Sequence, residues 1–288
     1  MQQKKRSVEL VIPSYNRLSI LESTLNKIRM IYPELPICIG LQGDRPDGKF
    51  LLWLEQDAHL RILSEEKPST TVTLNHCIAT SKADIILLLD DDAIPSVGWL
   101  DAHLEAFEKN SALAYTCGRE VRVSYKNPGI SKVLRAIVQK MLGVFFSPTK
   151  KLQGYVVGWL TRSGLLLGNF DLPGECVINS PRGCNMGIRK APFLELGGFN
   201  ENFRGNAWGF EADFGLRLQR QDQLGKYIGS AIVHHLEVSS GGSRQKSSQK
   251  WFDDFMFNQR LLIERLGKTA WIGSLPRLIK FYIKMIHK

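Results

Sequence analysis

The chain lacks any apolar run of the roughly 18 residues that mark a membrane-spanning helix, because Arg162 interrupts the stretch Gly154–Phe170. Its first apolar stretch, Val8–Pro13, is shorter than the core of a secretion signal. Five cysteines (Cys38, Cys77, Cys117, Cys176 and Cys184) form no C-x-x-C pair and have no histidine at metal-ligand spacing. An odd, scattered set argues against a disulfide scaffold or zinc module and points to buried thiols in a reducing compartment. No internal repeat or low-complexity stretch is present, so solenoid and disordered classes fall away. These absences point to a cytoplasmic globular chain.

Acids are also missing from two places. Val121–Phe170 carries Arg122, Lys126, Lys132, Arg135, Lys140, Lys150, Lys151 and Arg162 with no Asp or Glu. Arg265–Lys288 carries Arg265, Lys268, Arg277, Lys280, Lys284 and Lys288, again without an acid. The formal net charge of +10 therefore resolves into two basic segments and a mildly acidic remainder of 24 basic and 28 acidic residues. Where charge lies constrains partners more than its sum does.

What is present is an alternation of short apolar runs and helical spacings. Val8–Ile12, Ile37–Leu41, Leu60–Leu63 and Asp84–Leu89 read as strands, the first closed by Pro13. Leu18–Met30, Phe50–Leu54 and Thr71–Thr80 read as helices between them. Continuously apolar strands separated by helices indicate a parallel sheet covered on both faces. In such sheets ligands collect beyond the carboxyl ends of the strands. Those ends carry Pro13-Ser14-Tyr15-Asn16-Arg17, Gln42-Gly43-Asp44 and Asp90-Asp91-Asp92. Three consecutive carboxylates after a buried strand repel one another and call for a counter-charge. A divalent cation shared with substrate phosphates supplies one.

With these strand ends, the opening Val-Ile-Pro-Ser-Tyr-Asn-Arg and Leu-Leu-Leu-Asp-Asp-Asp-Ala-Ile-Pro segments resemble the family 2 glycosyltransferases of GT-A fold. Three later stretches extend the resemblance in the family's order. They are Arg182–Lys190 with Leu196–Asn200, Gly209–Arg217, and Ala231–His235 with Gly241–Arg244. It implies a single Rossmann-like nucleotide-diphospho-sugar transferase domain with a mostly parallel central sheet. Residues 1–250 would form that domain, with a nucleotide-sugar half (1–105) and an acceptor half (106–250), and 251–288 would be a basic amphipathic helical segment.

The resemblance also implies roles. Asp92 and His235 would hold Mn²⁺ or Mg²⁺, and Asp90 would sit nearer the ribose. Pro13, Tyr15, Asn16, Asp44, Asp91 and Arg244 would contact the nucleotide-sugar, Arg244 from a glycine-rich phosphate clamp. Glu211 would be the base that takes the acceptor proton, with Asp213 capping its helix or orienting the acceptor, and Trp208 would stack on the acceptor. A single displacement at C1 would then invert the anomeric configuration. The Q-x-x-R-W motif of the family's processive synthases is absent, which favours one sugar per binding event.

Ile130–Phe146 and Leu278–Ile286 carry apolar stripes flanked by basic residues, a pattern that suits either core packing or an anionic membrane surface. Membrane docking on the inner face of the cytoplasmic membrane would suit a lipid-linked glycan acceptor. Two other readings compete. A sugar-phosphate nucleotidyltransferase would want a glycine-rich basic loop after the first strand, where Val11-Ile-Pro-Ser-Tyr15 stands. A nucleic-acid binder without transferase activity would want basic residues among exposed aromatics on one face, whereas the expected cleft here is acidic. No nucleic-acid partner is expected.

Overall fold

In the computed structural model, residues 7–43, 48–123, 151–162, 164–236 and 248–267 are described. Asp44, Arg244 and the stripes Ile130–Phe146 and Leu278–Ile286 lie outside them.

The first third folds as its pattern dictates. Strands β1 (Val8–Tyr15), β2 (Ile37–Gln42), β3 (Leu60–Glu65) and β4 (Ile85–Leu89) lie parallel in the order β3-β2-β1-β4. Helices α1 (Leu18–Ile31), α2 (Gly48–Gln56) and α3 (Thr70–Thr80) make the crossovers that parallel neighbours require. Alternate side chains of β4 enter two cores. Ile85, Leu87 and Leu89 pack with Leu21, Leu25 and Ile28 of α1, while Ile86 and Leu88 pack with Leu74, Cys77 and Ile78 of α3. Each fully buried Leu or Ile contributes about 1.5–3 kcal/mol, so the register of β4 is firmly set. That register fixes where the following aspartates emerge.

Pro13 does not end β1, which continues to Tyr15. Pairing with β4 stops at Val11, and from Ile12 onward only β2 lies alongside. A strand with one free edge tolerates the missing N–H of proline.

The remaining elements build a mixed continuation. They are β5 (Ala93–Pro95), α4 (Trp99–Lys109), β6 (Leu113–Val123), β7 (Trp159–Leu160), β8 (Leu166–Leu167), β9 (Glu175–Ile178), β10 (Asn185–Arg189), α5 (Lys190–Glu195), α6 (Phe210–Gln219), β11 (Leu224–Leu236) and α7 (Ser248–Leu266). β10 runs antiparallel between β4 and β6, and β11 is parallel to β6. β9 pairs antiparallel with Gly225–Ile228 of β11 and β5 with Val233–His235, and between these two pairings the β6–β11 register shifts, from Ile228 to Ile232. The α/β class holds, with a central sheet parallel through β3-β2-β1-β4 and through β6–β11.

Helix α7 crosses the expected domain limit. A boundary between residues 250 and 251 falls inside it, and Phe255, Asn258, Gln259 and Leu262 are buried. Asn258 exchanges hydrogen bonds with the backbone of Arg204 at 2.8 and 2.9 Å, so this helix is fastened to the body. No helix among the described residues is long and apolar enough to cross a membrane. All five cysteines are free and buried.

Candidate active site

A cleft of about 280 Å³ opens over the carboxyl ends of β1, β2 and β4. Pro13, Ser14 and Tyr15 line it from β1, Gln42 from β2, and Asp90 and Asp91 follow β4. Glu120 and Arg122 of β6, Arg182–Cys184 before β10, Glu211 of α6 and His235 of β11 also line it.

The three aspartates are treated differently by their surroundings. Asp91 is buried and accepts from Ser14 Oγ at 2.7 Å and from Arg17, whose Nη2 also meets it. Burial pushes its carboxyl up, and Arg17 and Ser14 oppose that. Asp92 accepts from Arg17 Nη1 at 3.0 Å through one oxygen and meets His235 Nε2 at 2.9 Å through the other. Burial resists its charge, but His235 and Arg17 outweigh burial and hold it low. Asp90 has two fifths of its side chain open to the cleft and lies 3.7 Å from His235 Nε2. Its place deep in the cleft, with Asp92, Asp91 and Glu211 nearby, pushes it up to about 7 against the pull of His235. One arginine, entering on the turn after β1, thus neutralises two acids and leaves the third facing the cleft.

His235 is fixed from both sides. Its Nδ1 meets Glu120 at 2.9 Å and its Nε2 meets Asp92. Burial opposes a charge on the ring, yet hydrogen bonds to Asp92, Cys184 and Glu120 push it up to about 12. Glu120 also takes Arg122 Nε at 2.8 Å and Arg182 Nη1, and despite burial these partners hold it at about 2. Without an ion the ring is protonated and both nitrogens meet carboxylates; a bound cation would take the place of the Nε2 proton, with Glu120 orienting the ring from behind.

The residues suit a divalent cation. Ligand atoms of Asp90, Cys184 and His235 lie within 4.8 Å of one another. Asp92 stands beside that group, hydrogen-bonded to His235 Nε2 at 2.9 Å and to Arg17, and does not itself line the cleft.

Glu211 stands at the start of α6, as the sequence suggested. Gly209 precedes that helix at φ 94°, and a Cβ there would lie 2.8 Å from Leu262 of α7. Only glycine allows both that turn and that approach. The Gly183 N–H donates to Glu211 Oε1 at 3.2 Å, and burial raises the carboxyl above the ordinary range. A second hollow of about 270 Å³, lined by Leu166, Phe170 and Trp208 among others, adjoins the cleft. Glu211, Arg182 and Asn206 line both spaces.

Some sequence-derived candidates stand elsewhere. Asp213 is fully buried and bound to Arg217 Nε and Arg265 Nε, each at 2.8 Å. It ties α6 to α7, makes no cap, and does not line the cleft. The i+2 spacing from Glu211 turns its side chain away around the helix. Asn16, at φ 52°, is a turn residue whose N–H donates to Gln42 O at 3.3 Å, and it is not among the lining residues. Trp208 packs its ring 4.9 Å from Phe255 while edging the second hollow.

Arg17, Glu120, Arg182 and Cys184 carry site geometry without having been assigned roles. Arg17, Arg182 and Cys184 sit inside the family-like segments, so their positions were available. Glu120 is the last acid before the acid-free stretch, and nothing local marks it. Asn75 anchors the turn after α5: its side chain exchanges hydrogen bonds with Phe199 N and O, at 2.8 and 2.9 Å, beside Gly198 at φ 73°.

Comparison with known proteins agrees with this architecture. The solved structure of GalNAc-T7 with UDP, GalNAc and Mn²⁺ superposes with TM-score 0.62 at 12% identity, covering 95% of this chain and 54% of that one. S. aureus TarS 1–349 gives 0.56 at 13% identity, covering 90% and 65%. Its complex with UDP-GlcNAc gives 0.57 at 11%, covering 93% and 70%. The chain thus spans between about half and seven tenths of these relatives. At such identity they show the fold, which is GT-A. No curated protein sequence matches the chain. The model of glycosyl transferase family 2 matches residues 9–162, more than half of the sequence and including all of β1 after Val8, the aspartate triplet and Glu120. The chain belongs to glycosyl transferase family 2.

Proposed function

We propose that the protein is an inverting, metal-dependent glycosyltransferase that moves one sugar from a nucleotide-diphosphate sugar to a hydroxyl acceptor. The observation that carries this reading is the position of Glu211 in the wall shared by the cleft and the adjoining hollow. A donor over the aspartates and an acceptor beside Trp208 would meet there.

Pro13 and Tyr15 line the end of the cleft suited to the base and ribose. Asp91 contributes through Arg17, holding the turn that shapes that end. Asp92 and His235, joined by Asp90, are the residues that would hold Mn²⁺ or Mg²⁺. When bound, such an ion neutralises charge on the departing diphosphate. Arg122 and Arg182 add fixed positive charge to the same wall. The relatives whose structures contain UDP with Mn²⁺, or UDP-GlcNAc, support the same donor class on this fold.

In the transfer step the acceptor oxygen bonds to C1 as the C1–O bond to phosphate breaks, its electron pair leaving with the nucleoside diphosphate. Glu211 takes the acceptor's proton. Gly183 anchors one of its oxygens, and burial raises its affinity for protons, the direction a base requires. No covalent enzyme intermediate is needed, so the product is inverted. Arg244 and Asp44 remain proposed donor contacts.

Residues 7–267 are proposed to act as one catalytic unit, because α7 is built into the body. A lipid-linked or cell-surface glycan precursor is the proposed acceptor, at an anionic membrane surface reached by the basic segments. Arg265 is committed to Asp213, so the flotation test compares full-length protein with one ending at Gly267. Equal liposome recovery of the two excludes residues 268–288 as the anchor.

The functional test is a hydrolysis and transfer screen over UDP-, GDP- and dTDP-sugars with Mn²⁺, using Asp92→Ala as control. Metal-dependent turnover that disappears in the variant is the expected result. Turnover unchanged by either removal refutes the metal assignment.

A further inference from the structure

We propose that Cys184 is a ligand of the same cation, making the set carboxylate–imidazole–thiolate and shifting its preference from Mg²⁺ toward softer divalent ions. The inference rests on the metal reading given above.

Three observations carry it. The first is convergence: the Cys184 sulfur, an Asp90 oxygen and a His235 nitrogen lie within 4.8 Å of one another, from three separate elements. The second is access. Cys184 is only 7% exposed, yet it lines the cleft, so the open part of its surface faces the site.

The third is rigidity. The N–H of Arg182 donates to Cys117 Sγ at 3.4 Å, and that of Gly183 to Glu211 at 3.2 Å. On the other side, the Asn185 amide receives Trp99 Nε1 at 2.8 Å and His103 Nε2 at 3.0 Å. Its own nitrogen donates to Arg119 O and Ala231 O at 3.1 and 2.8 Å. The backbone carrying Cys184 is therefore held on both sides, as His235 is held by Glu120. A sulfur merely filling space in the core needs no such alignment with two other ligands.

The chemistry follows from ligand softness. Mg²⁺ demands oxygen ligands and retains water, whereas sulfur favours Zn²⁺ and other softer ions, with Co²⁺ above Mn²⁺ in the general order. On coordination the thiol proton passes to water and the sulfur donates as thiolate.

The test titrates Co²⁺ into the full chain and follows the near-ultraviolet sulfur-to-cobalt charge-transfer band, with calorimetry reporting binding independently. Wild type is expected to show the band. Cys184→Ser and Cys184→Ala should bind Co²⁺ without it, and Cys117→Ser should retain it. Circular dichroism checks that each variant is folded. Co²⁺ binding without the band in wild type, or a band that survives in folded Cys184 variants, overturns the thiolate assignment while leaving the cation site standing. Failure of wild type to bind either Co²⁺ or Mn²⁺, with or without a nucleoside diphosphate, overturns both.

Discussion

His103 and His235 are both fastened to strand β6, one through Thr116 and the other through Glu120, yet their surroundings are opposite. His103 is fully buried among neutral partners, meeting Thr116 Oγ1 at 2.8 Å and Asn185 Oδ1 at 3.0 Å. Burial pushes it down to about 4, and it stays uncharged. His235 sits at the cleft among acids and is held near 12. The same side chain is a scaffold in one place and part of a charged site in the other. The difference is made by neighbours: the floor spends its polar groups on each other, whereas the rim keeps some facing open space. Damage to the floor should therefore cost stability, and damage to the rim should cost chemistry.

Glu211→Gln should give the largest effect. Transfer is expected to fall by about 10²–10⁴-fold while donor binding and thermal stability are retained. Near-normal transfer would remove Glu211 from the role of base and blur the distinction between rim and floor.

Asp213→Ala should do the reverse. Removing a fully buried acid strands Arg217 and Arg265, at a cost of about 3–5 kcal/mol in chemical denaturation. Activity per folded molecule should persist, and a specific loss of transfer with unchanged stability would return Asp213 to the site.

The pH dependence of stability probes the floor itself. His103 has a folded value of about 4, below the ordinary unfolded value near 6.5. Its contribution is complete above pH 6.5 and is lost as pH falls toward 4, because the unfolded chain binds the proton first. That window is worth on the order of 3 kcal/mol. His103→Gln should flatten it relative to wild type, with the other titrating acids common to both proteins. Identical pH profiles would contradict the neutral network.

Glu120→Gln is the smallest of these changes in activity. It should weaken Mn²⁺ binding about 10–100-fold, since the residue orients His235 from behind, and should also cost stability because Arg122 and Arg182 lose their buried partner. Unchanged Mn²⁺ affinity would show that His235 needs no such partner.

These contrasts also mark how far the sequence could be read. The parallel strands, the aspartates after β4 and Glu211 at a helix start all follow from local pattern, because burial period and strand-end position are short-range signals. Pro13 misled because its tolerance depends on where β4 stops pairing. Asp213 looked equivalent to Glu211 at the level of motif, but its partner Arg265 lies 52 residues away. His235 and Asp92 are 143 residues apart and were joined only through family resemblance. Glu120 and Cys184 gained meaning from β10 returning antiparallel between β4 and β6, which no local periodicity announces.

The most direct test of the account is calorimetric titration of nucleotide-diphosphate sugars into the protein, with and without Mn²⁺, for wild type and His235→Ala. Binding of at least one donor that requires Mn²⁺ and is lost or strongly weakened in the folded variant is the predicted result. Donor binding indifferent to both the ion and His235 would contradict it.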